Sequence, residues 1–314
     1  MCNLRFGVFA TGSNQALHYI FETMGHAFVP AKDMKFNPYL AIILAATIGG
    51  SSGVFIKLID LPATTITFFR MAVPVIILLG YLRYKGVKLF RGSYRIMMLA
   101  SVLNATRMFL FFVGYLYTTI GNAVIILFTW PIFGTLFSAI FLKERVSGRT
   151  IFLIALAFTG IVIMYIDKEI SFGNEDFIGM AAMLFSAILF AVTAVIFKQK
   201  LLTHSRTETI FYQNLVGALA FLPFVFFSAS SPTVTQIGAA SLYGFLIGIL
   251  AFMLFFYALK RLKMGHYALF TYWEVIAALF FGVLFFGEQV TWNMITGGSL
   301  ILATGILVRK RGGG

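Results

Sequence analysis

Four charged residues lie inside long runs of apolar residues: Lys57, Arg70, Arg107 and Glu274. A carboxylate in such surroundings can bind an amine or carry a proton, and an arginine can bind a carboxylate through paired hydrogen bonds. A charge at the centre of a bilayer costs at least about 2.5 to 3.5 kcal/mol, so each one needs a partner or a function. These residues are therefore the first candidates for a binding site.

The positions of these charges along their helices separate them. At about 1.5 Å per residue, Arg107 and Glu274 lie about 16 and about 14 Å along their predicted helices, measured from the same face. Lys57 lies about 28 Å along its helix, where its long side chain can reach the opposite interface. Arg70 lies about 10 Å inside that interface. Arg107 and Glu274 thus share a depth near the middle of the membrane.

Two interpretations of this pair follow. Arg107 and Glu274 could form a structural ion pair between two helices, because an unpaired buried ion is more costly than a paired one. Alternatively, Glu274 faces a cavity and binds a substrate amine or a proton, while Arg107 holds a substrate carboxylate. Burial favours the protonated acid and a nearby arginine favours the carboxylate, so substrate arrival could switch protonation and couple transport to protons. No other cofactor and no metal are predicted.

Polar and aromatic side chains near these charges complete the predicted substrate site: Asn104, Thr129, Trp130, Tyr267, Tyr272 and Trp273. Trp130 is the strongest of the aromatic candidates, because it precedes the helix-breaking Pro131 and could stack on a ring or a cation. Arg70, Gln213 and Asn214 are predicted to form a polar constriction, or else hydrogen bonds between helices.

The composition shows which elements must position these residues. The chain has 314 residues, of which 60% are hydrophobic and 11% are charged, and such a chain is an integral membrane protein. Apolar runs of about 20 residues predict helical membrane spans. Ten are predicted, numbered here as spans 1 to 10: residues 38–59, 63–83, 96–117, 120–142, 149–166, 177–198, 207–228, 237–259, 265–286 and 290–309.

The net charge of +13 is explained by topology. Lysines and arginines concentrate in the loops of one face, whereas the opposite loops hold Lys168 alone, in the acidic segment "DKEISFGNED". The positive-inside rule predicts an inner (cytoplasmic) bacterial membrane with both termini in the cytoplasm, and affinity for anionic lipid without a nucleic-acid partner. Residues 1–36 are predicted to be a cytoplasmic N-terminal segment with no signal peptide.

Motifs of catalysis are missing from the sequence. Cys2 is the one cysteine, the four histidines are scattered, and there is no HExxH motif, Ser-His constellation or nucleotide-binding loop. The sequence predicts that the protein is not an enzyme.

The two halves of the chain repeat. A shift of 144 residues aligns "FFVGYLYTTIGNAVIILFTWPIFGTLFSAIFLKERV" with "FFYALKRLKMGHYALFTYWEVIAALFFGVLFFGEQV" without a gap. Five spans per half is an odd number, so the second repeat enters the membrane from the opposite side. The predicted domains are repeats at 37–166 and 177–311, joined by an external linker at 167–176. Glu274 then corresponds to Trp130, so the scaffold itself does not require this charge.

Each repeat ends in a small-residue helix, a glutamate in "FLKERVSGRT" or "FFGEQVTWNM", and a glycine-bearing helix in "LAFTGIVIM" or "LILATGILV". In this the chain resembles the EamA family of the drug/metabolite transporter superfamily over about residues 37 to 311. The resemblance implies a ten-helix carrier whose cavity is lined mainly by spans 1, 3, 4, 6, 8 and 9. One departure is Val275, where the family usually has proline, so the family's kink in span 9 is not supported by the sequence.

The glycine- and serine-rich stretch "TIGGSSGVF" in span 1 is predicted to permit close helix packing. The alternative is a helix break that exposes backbone groups to substrate.

The predicted function is secondary transport of a small amine-bearing metabolite by alternating access. One acid opposite two bases beside aromatic rings suits an amino acid, including aromatic ones. S-adenosylmethionine or another nucleotide-bearing metabolite is the alternative substrate, and a channel or lipid scramblase is the alternative of another class. The predicted partners are a small-molecule substrate and membrane lipid.

Overall fold

The structure is a computed structural model, and it describes residues 36–118, 120–166, 174–226, 232–287 and 289–309. All but Phe36 of the predicted N-terminal segment, and residues 167–173 of the predicted linker, lie outside these ranges.

The described residues fold into helices, as the composition predicts, and the predicted spans correspond to helices within a few residues at each end. The bounds are Pro38–Gly50 and Ser52–Ile59 in span 1, Ala63–Tyr84 in span 2, Tyr94–Tyr117 in span 3, Ile120–Leu127 and Trp130–Phe141 in span 4, Gly148–Tyr165 in span 5, Asn174–Lys200 in span 6, Arg206–Phe221 and Pro223–Phe226 in span 7, Val234–Phe245, the π-helix Leu246–Ala251 and Phe252–Arg261 in span 8, Met264–Thr271 and Trp273–Phe286 in span 9, and Trp292–Arg309 in span 10. In the described ranges, nine of these stretches are long and apolar enough to cross a membrane, and Trp292–Leu307 is a shorter apolar helix.

Several helices begin where a side chain can accept a hydrogen bond from the first-turn backbone. Asn37 caps span 1 through the amide of Tyr39, and Ser147 caps span 5. Ser205 and Thr233 form complete capping boxes at spans 7 and 8. Each cap satisfies backbone donors that a helix start would otherwise leave without partners.

Hydrogen bonds between helix ends show which ends lie together on each of the two faces of the helical bundle. The start of span 1 meets the end of span 8, where Tyr257 donates to the carbonyl of Phe36 (2.7 Å), and the end of span 10 meets the start of span 5. This is called the terminal face. On the opposite face, Gln236 donates to the carbonyl of Asp60 (3.1 Å). Alternation between these faces is the arrangement that two five-span repeats require.

Spans 4 and 9 are interrupted at equivalent positions. Span 4 breaks at Phe128 and Thr129, and span 9 breaks at Tyr272, which is the counterpart of Phe128 under the 144-residue shift. The amide of Val275 donates to the carbonyl of Tyr272 (3.1 Å), a tightened turn that interrupts the α-helical pattern without a proline. The helical pattern of span 9 is thus interrupted although Val275 stands where the family usually has proline.

Span 1 shows the close packing that its small residues predict, and it is also interrupted. It breaks at Ser51, and Gly50 packs so tightly on span 9 that a Cβ there would lie 2.7 Å from the backbone nitrogen of Ala278. Spans 5 and 10 are in similar contact through Gly160 and Gly297. Small residues allow the backbones to approach, which is a main source of packing energy between helices in lipid.

Candidate functional site

A cavity of about 520 Å³ lies between the two repeats. It extends from Leu259, close to the terminal face, to Ala63, the first residue of span 2 on the opposite face. Its walls include residues of spans 1, 3, 4, 6, 8 and 9, and also Arg70 of span 2 and Gln213 of span 7. Such a volume is typical of a site for a small organic molecule.

The cavity is mostly apolar, with three charged side chains among its described lining residues: Arg70, Arg107 and Glu274. They are the three charges that the sequence predicts to lie deeper in the membrane than Lys57. Lys57 does not line the cavity, and its amino group lies 4.2 Å from the centre of the Phe286 ring.

The side chain of Arg107 is held by Asn104 and Phe190. Its Nε donates to Oδ1 of Asn104 (3.3 Å), and its guanidinium carbon lies 4.5 Å from the centre of the Phe190 ring. Asn104 is fixed in turn by its donation to the backbone carbonyl of Gln213 (3.0 Å). Arg107 is only 6% exposed. Its orientation is therefore set before any ligand arrives.

Met108 joins the two arginines. Nη2 of Arg107 lies 3.0 Å from the Met108 sulfur, and Nη1 of Arg70 lies 3.7 Å from the same atom. A thioether is a weak acceptor, so this contact leaves most of the hydrogen-bonding capacity of both guanidinium groups unused.

The backbone around Arg70 is shaped by Pro74, four residues later. Proline has no N–H to donate to the Arg70 carbonyl, so that helical hydrogen bond is missing. Gly248, in the π-helix of span 8, lies against this carbonyl, and a Cβ there would be 2.6 Å from it. A small residue is thus required where spans 2 and 8 meet beside the cavity.

Glu274 lies in the first turn of the second helix of span 9, where the helix dipole favours a carboxylate. Its carboxylate rests on Gly49 of span 1, and a Cβ at that position would lie 2.9 Å from Oε1. Among the described residues, Glu274 forms no ion pair with Arg107 or Arg70, although the three charges interact across the cavity. The direct ion pair of the first interpretation is thus not formed in this conformation.

Aromatic rings make up one side of the cavity. Phe190 lies between Arg107 and Trp130, with its ring centre 4.5 Å from that of Trp130. Tyr267 meets Trp130 edge to face at 6.3 Å. This wall presents ring surface next to the guanidinium of Arg107, an arrangement that suits a ligand with an apolar or aromatic part.

The structure places six predicted residues on the cavity wall besides Glu274: Arg70, Asn104, Arg107, Trp130, Gln213 and Tyr267. Four others lie off the wall, where local hydrogen bonds hold them. Thr129 donates to the Ile126 carbonyl, Tyr272 to the Phe128 carbonyl, Trp273 to Oγ1 of Thr47 and Asn214 to the Ile210 carbonyl.

Three important wall residues were missed by sequence reasoning: Gly49, Met108 and Phe190. Gly49 lies in the small-residue stretch "TIGGSSGVF", but nothing in the sequence connects it to Glu274. Met108 is next to Arg107, which is a usable signal. Phe190 is one of 37 phenylalanines and has no distinguishing mark in the sequence.

A polar network joins the two repeats near the terminal face. Nζ of Lys198 in span 6 lies 2.6 Å from Oε1 of Glu144, and Nζ also donates to the Leu262 carbonyl (2.6 Å). The other carboxylate oxygen of Glu144 accepts from the amide of Met264 (2.7 Å). This terminal-face network ties the end of the first repeat's span 4 to the second repeat.

In the described part of the chain, nine helices long enough to span a membrane and one shorter apolar helix surround a cavity that holds both signs of charge, which is the architecture of a multi-pass membrane transporter. The chain matches the EamA-like transporter family over residues 37–166 and again over residues 177–309. It belongs to that family.

Curated relatives of this chain are transporters. Solute carrier family 35 member G1 of Mus musculus is 24% identical over 286 residues, which cover 85% of this chain and 77% of the relative. The pseudopaline exporter CntI of Pseudomonas aeruginosa is 27% identical over 191 residues, 59% of this chain and 66% of the relative. The S-adenosylmethionine uptake transporter of Rickettsia felis is 24% identical, covering 63% of this chain and 65% of the relative.

A solved crystal structure has the same fold. It aligns with a TM-score of 0.75 at 18% identity and covers 87% of this chain and 98% of its own. At this identity the likeness concerns the fold.

Proposed function

We propose that the protein is a secondary transporter that moves a small amine-bearing metabolite, with amino acids and particularly aromatic ones foremost, by alternating access. The observation that carries this proposal is the carboxylate of Glu274, which faces a cavity and has no ion-pair partner among the described residues. A substrate amine or a proton would neutralise it, and the arginines opposite would hold a substrate carboxylate.

The shape of the cavity supports the transport cycle. The cavity extends to Ala63, the first residue of span 2, at the opposite face. At the terminal face, the network of Glu144 and Lys198 joins the repeats. This arrangement supports entry of substrate from the opposite face in this conformation. Rearrangement of the network between the repeats would then open the terminal face, as inverted repeats permit.

The positive-inside rule supports placement in the bacterial inner membrane with both termini in the cytoplasm. The opposite face would then be external. We assign the protein no catalytic step and no nucleic-acid partner, with membrane lipid as its surroundings. A proton taken up by Glu274 is the proposed coupling ion, and no other cofactor is needed.

Two alternatives are tested by the same experiment. S-adenosylmethionine is favoured by the relative from Rickettsia felis and by the aromatic wall at Trp130, which could stack on an adenine-like ring. A channel or scramblase would also use a polar cavity, but it could not concentrate a solute.

The test is reconstitution of wild type and Glu274→Gln into liposomes, with uptake of a labelled amino acid panel and of S-adenosylmethionine. Wild type should accumulate a substrate against its gradient when a pH gradient is imposed, and Glu274→Gln should lose this coupling at an unchanged melting temperature. Downhill flux without counter-exchange would indicate a channel. A lower melting temperature with unchanged uptake would make Glu274 structural.

A further inference from the structure

The cavity has more positive than negative charge. Its described lining residues include two arginines and one glutamate, so its formal balance is +1 when all three are ionised. Arg70 and Arg107 form no ion pair with any described carboxylate. An excess charge within the membrane is costly, and a bound substrate of opposite charge would neutralise it.

The two arginines are close enough to act together. Both contact the Met108 sulfur, at 3.7 Å for Nη1 of Arg70 and 3.0 Å for Nη2 of Arg107, so these nitrogen atoms are less than about 7 Å apart. Guanidinium groups donate to acid oxygens at about 2.7 to 2.9 Å. An acid group placed between them could accept from both, and a second acid group could take up the donors that remain.

Arg107 is already oriented for this task. Its hydrogen bond to Asn104 and its contact with the Phe190 ring fix the guanidinium plane. The carbonyl of Arg107 also accepts from the hydroxyl of Ser186 (3.0 Å), which ties its backbone to span 6. A group fixed in this way loses little conformational entropy when it binds an anion.

The charge of the substrate follows from these contacts. A neutral zwitterion would satisfy Glu274 and one arginine but leave the cavity at +1. A substrate with one amine and two acid groups would bring the net charge of the occupied cavity to zero. A net cation such as S-adenosylmethionine would raise that net charge to +2.

We propose that the cavity selects an amine-bearing substrate with two acid groups, an amino dicarboxylate, with its acid groups at Arg70 and Arg107 and its amine at Glu274. This inference rests on the proposed transport function and, in place of the aromatic amino acids put foremost there, names amino dicarboxylates as the substrate class.

The test compares glutamate with glutamine, which differ by one charge at almost the same shape. Binding of each labelled compound to the purified protein in detergent is measured beside exchange in liposomes. Wild type should bind glutamate at least about ten times more tightly than glutamine, the least expected from one charge-assisted hydrogen bond. This comparison needs no variant and therefore does not depend on the folding of one.

Variants then test whether Arg70 produces the preference for glutamate over glutamine. Arg70→Gln should weaken glutamate binding about tenfold or more and leave glutamine binding nearly unchanged, and Arg70→Lys should restore part of the loss. Lys57→Gln is the matched control, because it removes a positive charge from a span but not from the cavity wall. It should leave the glutamate-to-glutamine ratio as in wild type.

The outcomes distinguish the two proposals. Exchange of glutamine or another neutral amino acid at least as good as that of glutamate would overturn the dicarboxylate inference and leave the transport function standing. Tight glutamate binding that depends on Arg70, without exchange of any compound, would support the inference and overturn the transport function. Failure of the whole panel to bind or exchange would overturn both.

Discussion

Substitution of Gly49 by alanine tests whether the position of the Glu274 carboxylate matters for transport. A Cβ at Gly49 would lie 2.9 Å from Oε1 and 3.0 Å from Cδ of Glu274, whereas ordinary contact begins at 3.4 Å. The carboxylate must therefore move away by about 0.5 Å, the difference between these distances. The group that moves is the end of a flexible side chain, so the helices themselves can stay in place.

Gly49→Ala is expected to weaken substrate binding rather than to lower the stability of the protein. Alanine in a helix interior gains about 0.5 to 1 kcal/mol over glycine, which offsets part of the cost of overpacking. The free energy of unfolding should change by less than about 1 kcal/mol. A charge-assisted hydrogen bond is worth about 1.5 to 3 kcal/mol, so its loss from a substrate amine would raise KM about tenfold or more.

The chain offers two matched controls for this variant. Gly53 lies on the same wall, and a Cβ there would meet nothing within 4 Å, so Gly53→Ala adds a methyl group without moving the Glu274 carboxylate and should change KM less than Gly49→Ala does. Gly50→Ala would place its Cβ 2.7 Å from the backbone of span 9 and should lower the melting temperature.

The assay is exchange kinetics in liposomes beside thermal melting in detergent. Equal KM values for Gly49→Ala and Gly53→Ala would refute the assignment of Glu274 to the substrate site, provided that both variants melt like wild type.

Two other perturbations address the terminal-face network and the packing of spans 5 and 10. Lys198→Met leaves Glu144 without its cation. Because the two side chains are 11% and 18% exposed, the loss should weaken the contact between the repeats by less than about 3 kcal/mol, the lower end for breaking a fully buried pair. A cysteine at Leu259, in a background without the native cysteine, should then react faster with an impermeant maleimide applied at that face; an unchanged rate would argue against the network as a closure. Gly297→Ala should destabilise the protein by about 1 to 3 kcal/mol because its Cβ would meet the backbone of span 5. Gly298→Ala meets nothing within 4 Å and should melt like wild type, so equal melting temperatures for the two variants would contradict this packing argument.

The spans were predictable because the bilayer imposes a single strong requirement on sequence. A run of about 20 apolar residues must satisfy its backbone internally, so run length predicts helices, and the 144-residue repeat predicts their inverted arrangement. The same logic located Arg70, Arg107 and Glu274, since a charge within an apolar run is conspicuous. Their placement on the wall of one cavity agrees with that reading.

The sequence could not predict which way each helix is rotated. In lipid, apolar side chains suit the outer surface as well as the interior, so hydropathy does not say which face of a span turns inward. Tyr272 and Trp273 accordingly looked as suitable for the cavity as Tyr267, yet they donate to groups beside it.

The sequence by itself thus determined the membrane class, the spans and the repeat, and it predicted the depths of the buried charges. The tertiary structure decided that Glu274 rests on Gly49 without forming an ion pair with Arg107, and that Met108 joins the two arginines. The physical reason is that depth follows from counting residues along one helix. Contacts across the cavity depend on the rotation and close packing of several helices at once, and these are fixed when the small residues of one span meet the side chains of another.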